Sequence, residues 1–172
     1  MVVGETARPQ PTLITKGAEP QMNKKKTWRE KLHDVKDLPA VGPIREKLAA
    51  KWGPGLMLVP APTEVDEIMK RVPTGGTITV NDIRETLALK HNADFCCPLA
   101  TGIFVWIAAN AAEEGAGEGE QDTTPYWRTT KKGGELNAKY PGGVERQKAL
   151  LEAEGHKVLA KGAKLVVESK AP

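Results

Sequence analysis

The residues best equipped for chemistry fall in the last third of the chain, in "TPYWRTTKKGGELNAKYPGG", residues 124 to 143. Tyr126 and Trp127 sit side by side after a proline, where two rings form either a stacking platform for a nucleic-acid base or an aromatic plug in a core. Arg128, Lys131 and Lys132 follow, basic groups that can meet phosphates or form a solvated loop. Gly142 and Gly143 precede a helical pattern. Free N–H groups there would receive an anion, and a tight turn is the equal alternative. Tyr140 either contacts a ligand beside them or anchors the loop. Cys96 and Cys97 are the only thiols. A reactive cysteine needs a neighbour that favours the thiolate, yet their surroundings are apolar and only His91 is close in sequence, so buried structural thiols are expected. His33, His91 and His156 lack metal-ligand spacing, and two adjacent cysteines make no zinc site. Neither metal nor cofactor is expected.

These residues need elements to hold them. Thr27 with Glu30 opens a short helix that stops before Pro39, and Pro43 opens a second that ends at Gly53. "LMLVPAP" reads as a brief strand closed by prolines. In "PTEVDEIMKRVPTGG", Thr63 is the expected cap of a helix burying Val65, Ile68, Met69 and Val72. Thr79 with Asp82 caps the next, which buries Ile83 and Leu87. "CPLATGIFVWIAANAAEEG" is apolar nearly all round and predicts a buried central helix from Pro98. An acidic, glycine-rich loop follows, then a helix through Val144, Leu150 and Leu151, then a hairpin around Lys161-Gly162. The expectation is a mainly α fold with a small β component, arranged as a winged-helix-like domain over residues 63–172. Residues 28–62 would be a helical N-terminal extension, and 1–27 a disordered basic tail in which Met22 is a candidate start.

Charge narrows the partners. The first 27 residues hold five basic and two acidic side chains and so carry the whole net charge of +3, while the remainder balances 20 against 20. Any nucleic-acid contact must come from a local basic face, not a global field. The longest apolar run is too short and mixed to span a bilayer, so no membrane partner is expected. No secretory signal is visible and the cysteine usage suits a reducing compartment, which points to a cytoplasmic monomer.

From about Val65 to Val158 the chain resembles the DNA-binding domain of methylated-DNA–protein cysteine methyltransferases, and more closely their alkyltransferase-like relatives. "IMKRVPTGGTITVNDI" is similar to that family's opening helix, Val-Pro-x-Gly turn and following helix. "YPGGVERQKALLEAEGH" is similar to its Gly-Gly loop, Lys-x-x-Leu-Leu helix and terminal Glu-Gly step. "PYWR" stands where the family has Pro-Cys-His-Arg. The resemblance implies a protein that holds an alkylated guanine flipped from duplex DNA. With Tyr126 at the cysteine position and Trp127 at the histidine position, it implies no alkyl transfer. It implies DNA contacts at Leu99 and Thr101 of "PLATG", at Tyr126, Trp127 and Arg128, and at Tyr140, Gly142 and Gly143, with repair proteins as further partners. Leu99 takes the position of the family's intercalating arginine, and an apolar wedge or an ordinary core residue both fit it. Two other readings remain: a protein-interaction module that keeps the fold without binding DNA lesions, and a transferase using Cys96 or Cys97.

Overall fold

Four helices and two short strands meet at one apolar centre in the computed structural model, which describes residues 24–168. Helix accounts for about 48% and strand for about 16%, so the protein is a mixed α/β fold, mainly helical with small sheets. The tail residues 1–23, Met22 among them, lie outside the described residues. Lys24, Lys25 and Lys26 are exposed, and Lys26 pairs with Asp34 at 2.6 Å.

The central element is α5, Pro98–Gly117. Pro98 sets the helical φ at the first position, an alanine-rich run continues the helix, and glycines loosen its end. Before it come α1 (Trp28–His33), α2 (Glu46–Trp52), α3 (Pro62–Lys70) and α4 (Val80–Lys90). Thr27 caps α1 and Thr79 caps α4 through complete capping boxes, as their spacing predicts. The cap expected at Thr63 moves upstream. Ala61 is the N-cap of α3 and Pro62 its first residue, because proline lacks the N–H that a cap would satisfy.

Strands β1 (Ala40–Pro43), β2 (Leu56–Val59) and β4 (Phe95–Cys96) form a small sheet in the order β1-β2-β4, antiparallel then parallel. β3 (Ile78–Thr79) runs parallel to β5 (Thr129–Thr130). After α6 (Gly143–Ala153), β6 (Val158–Lys161) and β7 (Lys164–Val167) make the expected hairpin, turned by Gly162 at φ 61°.

Residues 28–62 are neither purely helical nor an appendage. β2 pairs with β4 across the expected boundary, and Leu58 is fully buried in the main core. Glu114 of α5 accepts the first backbone N–H groups of α1, from Arg29 at 2.9 Å and Trp28 at 3.3 Å. Arg29 then pairs with Glu118 at 2.6 Å and with Glu120, and Trp28 packs edge-on against Trp106 with centroids 4.7 Å apart. A local pattern cannot report the partners of Arg29, because Glu114, Glu118 and Glu120 lie 85 or more residues away in sequence.

The main core gathers Leu58, Val65, Met69, Ile83, Leu87, Val105, Ala108 and Ala109 with Tyr126 and Tyr140. A smaller cluster of Leu136, Leu151 and Val167 lies beneath the hairpin, and Trp127 packs against both. Leu151, with no exposed surface, closes α6 onto that cluster.

Candidate nucleic-acid interface

The Pro125–Arg128 segment forms a 3-10 turn whose side chains point inward. Tyr126 is 1% exposed and makes edge-on contacts with Trp127 and Tyr140, at centroid distances of 5.5 and 5.3 Å. Its hydroxyl donates to Glu113 of α5 at 2.7 Å, and Arg146 of α6 closes on the same carboxylate at 2.8 Å. Burial first, and then the bond to Glu113, push the Tyr126 phenol far above its ordinary range, so it stays protonated. Of the two roles that sequence leaves open for this ring, stacking platform and core plug, burial selects the plug. No base can reach it while the fold is intact.

Trp127 and Arg128 are committed to one acceptor, Glu154 at the end of α6. Trp127 Nε1 donates at 2.9 Å, Arg128 Nε reaches both carboxylate oxygens at 3.0 Å, and its Nη2 donates at 2.7 Å. Arg128 Nη1 also donates to the Val72 carbonyl at 2.7 Å, and Nη2 to the Thr74 hydroxyl at 2.9 Å. Burial opposes ionisation of Glu154, but the bonds from Arg128 and Trp127 outweigh it and hold the carboxyl below the usual range. Arg128 is thus a clamp between α6 and the turn after α3, and its donors do not face solvent phosphate.

Tyr140 is 3% exposed, and its hydroxyl donates to the Thr129 carbonyl at 2.9 Å, so it anchors the loop. Gly142 and Gly143 have φ of 76° and 67°, conformations that side chains rarely adopt. A side chain on Gly142 would also run into Arg146. The Gly143 N–H donates to the Tyr140 carbonyl at 2.9 Å, so one donor of the expected anion site is already used. Thr101 is fully buried, donating to the Cys97 carbonyl at 2.8 Å. It also meets the sulfur of Cys96, whose thiol burial holds above its ordinary value.

Leu99 is the exception, with 72% of its surface exposed. It starts a stripe along α5 that continues through Ile103 at 44% and Trp106 at 36%. The spacing of four and three residues puts all three on one helical face. The helix that periodicity predicts to be buried all round therefore leaves an apolar face uncovered. Across a cleft of about 460 Å³ stand Lys131, Lys132 and Lys139 of the loop after β5, with Val80 and Asn81 of α4 at its edge.

That loop is fixed at several points. Glu135 bridges to Val166 of the hairpin and takes Lys164 at 2.8 Å, the contact that does most to hold its carboxyl below the usual range. Gln147 of α6, fully buried, accepts from the Asn137 backbone at 2.8 Å and donates to the Trp127 carbonyl at 3.0 Å. Of the residues singled out in sequence, Leu99, Lys131 and Lys132 line this cleft, while Thr101, Tyr126, Trp127, Arg128, Tyr140, Gly142 and Gly143 do not.

Known protein families, curated proteins and solved structures offer no match to this chain.

Sequence reasoning missed Ile103, Trp106, Asn137 and Lys139. The signal for the first two was present as the Leu99-Ile103-Trp106 spacing, but an apolar run on every side hides which face the fold leaves open. Glu113 and Glu154 were invisible as partners, since the loops that bring Tyr126 and Arg128 to them have no local signature. Among the described residues no helix is long and apolar enough to cross a membrane.

Proposed function

We propose that this protein is a non-catalytic DNA-binding protein, similar in role to the alkyltransferase-like sensors of alkylated guanine. The carrying observation is the cleft itself, an exposed apolar helix face opposed by three lysines. Leu99, at the first turn of α5, is the wedge that separates stacked bases, the work an apolar side chain does in several bent-DNA complexes. Trp106 and Ile103 offer the surface on which an extruded base rests, with stacking worth roughly 1–3 kcal/mol. Lys131, Lys132 and Lys139 meet the phosphates on either side. In this reading α4 and α5 act as the helical pair of a winged-helix domain, with β6 and β7 as its wing.

Chemistry on the base is not part of the reading. The phenol of Tyr126 is buried, bonded and held protonated, so it is no acceptor for an alkyl group. Cys96 is buried beside Thr101, and burial disfavours its thiolate.

The test is a fluorescence-anisotropy titration of the whole chain against matched duplexes with and without an alkylated guanine, across salt. Tighter binding to the modified duplex, weakened selectively by Trp106→Ala, supports lesion recognition. Equal binding to both duplexes leaves a general duplex binder. No binding even at low salt would overturn the reading and leave the apolar face to a protein partner.

A further inference from the structure

His156 follows Gly155 at the end of α6, where its backbone N–H donates to the Leu151 carbonyl at 3.1 Å and stops the helix. The side chain is 6% exposed, and neither ring nitrogen has a hydrogen-bond partner among the described residues. Burying an unsatisfied polar group opposes folding, and here two lie on one ring. Such a group in a well-packed wall would be an unexplained cost. This one instead lines a second cleft of about 420 Å³, which shares no residue with the α5 face.

The cleft lies between the Gly75–Thr79 segment, the Gly133-Gly134 turn and the end of β7. Thr77 and Thr130 bring hydroxyls, Glu168 a carboxylate at the exposed mouth, and Val167 an apolar patch. The Thr130 hydroxyl reaches the Ile78 carbonyl only at 3.4 Å, the far limit of a hydrogen bond, so it has capacity to spare.

The lining selects the ligand by what it contains. It has no Lys or Arg to hold a phosphate by charge, and no Tyr, Trp or Phe on which a base would stack. No group of three His, Cys, Asp or Glu side chains capable of holding a metal lies among the described residues. Imidazole and threonine hydroxyls each donate and accept, and a carboxylate accepts two hydroxyls at once. Alcohol groups, which also donate and accept, are the complement. The volume falls within the range of pockets that hold small molecules, roughly 300–1,000 Å³.

We propose that this cleft binds a small polyhydroxyl ligand through a vicinal diol. Glu168 receives the two adjacent hydroxyls, and His156, Thr77 and Thr130 take the remaining oxygens. A free sugar and the ribose of a nucleoside share this chemistry. Duplex DNA does not, because its deoxyribose lacks the second hydroxyl.

The experiment follows the imidazole of His156 by long-range proton–nitrogen spectra of the histidine-labelled full chain. The probes are D-ribose, adenosine, 2′-deoxyadenosine and inorganic phosphate. Ribose and adenosine should each shift the His156 ring signals saturably, with deoxyadenosine and phosphate silent. Stronger binding of ribose than adenosine assigns the site to a free sugar, and the reverse assigns it to a nucleoside. Thr77→Val and Glu168→Gln, both at exposed positions, should weaken binding at least about tenfold, or about 1.4 kcal/mol, with an unchanged circular dichroism spectrum. The proposal is overturned by silence of His156 toward both diols, by deoxyadenosine binding as well as adenosine, by phosphate matching ribose, or by wild-type affinity in both variants. Titration with duplex DNA should leave the His156 ring unmoved, so failure here leaves the α5 reading intact, and the converse holds.

Discussion

Replacing Arg128 by methionine tests whether the residue is a clamp or a phosphate contact. The Arg128 and Glu154 side chains are 12% and 11% exposed, so neither is well solvated. The variant leaves Glu154 with only Trp127 and Gly75 as donors and strips the Val72 carbonyl of the Arg128 donor. Removing one partner of a buried pair costs about 3–5 kcal/mol, and the slight exposure here places the effect near about 3 kcal/mol. That is a large part of a typical folding stability of roughly 5–15 kcal/mol. Urea denaturation should show the midpoint falling by about 1.5 M with the slope unchanged, for a slope of roughly 2 kcal/mol/M. The acid side carries a second signature. The folded-state pKa of Glu154 lies below its ordinary value of 4.5, so its contribution is fully present above that value and disappears as pH falls through the folded pKa. Arg128→Met should flatten that part of the stability profile, and adding Glu154→Gln should restore part of the lost stability by removing the unpaired charge. The slope of DNA affinity against salt should not change, because every Arg128 contact here is internal. A cost below about 1 kcal/mol, with the acid profile unaltered, would refute the clamp.

Other perturbations separate the cleft from its wall. Changing Lys131, Lys132 and Lys139 together to alanine should reduce the salt dependence of duplex binding by roughly 0.9 for each lost phosphate contact, read from anisotropy at several salt concentrations. Leu99→Ala should change stability by no more than about 0.5 kcal/mol, because the side chain is exposed, yet weaken duplex binding and reduce any bend seen by energy transfer between end labels. Leu151→Ala, within the small cluster under the hairpin, should cost about 2–5 kcal/mol in thermal or urea unfolding. Incubation with duplex carrying a labelled alkyl group should transfer no label to the protein, and an aromatic disulfide reagent should modify Cys97 before the buried Cys96.

What the sequence by itself determined was local. Thr27 and Thr79 begin their helices because hydroxyl, acid and spacing satisfy one another within four residues, and no distant group is needed. Pro98 opens α5, and Gly162 turns the hairpin, for reasons equally internal to the chain. Periodicity also names the buried faces of α3 and α4, through Val65, Met69, Ile83 and Leu87. For α5 and the loops, tertiary structure alone decided which side faces water. Tyr126 and Leu99 show this in opposite directions. Tyr126, which sequence leaves open as an exposed platform or a core plug, is drawn inward because Glu113 of α5 accepts its hydroxyl and Trp127 and Tyr140 pack against it. Leu99, one apolar residue in an apolar run, stays outside because α1, α3 and α4 pack on the other faces of α5. Arg128 loses its role as a free cation for the same reason, since Glu154 lies 26 residues away and meets it only when α6 folds back. Burial is a property of what packs against a residue, and a periodic apolar pattern fixes the axis of a helix without naming the neighbours that will cover it.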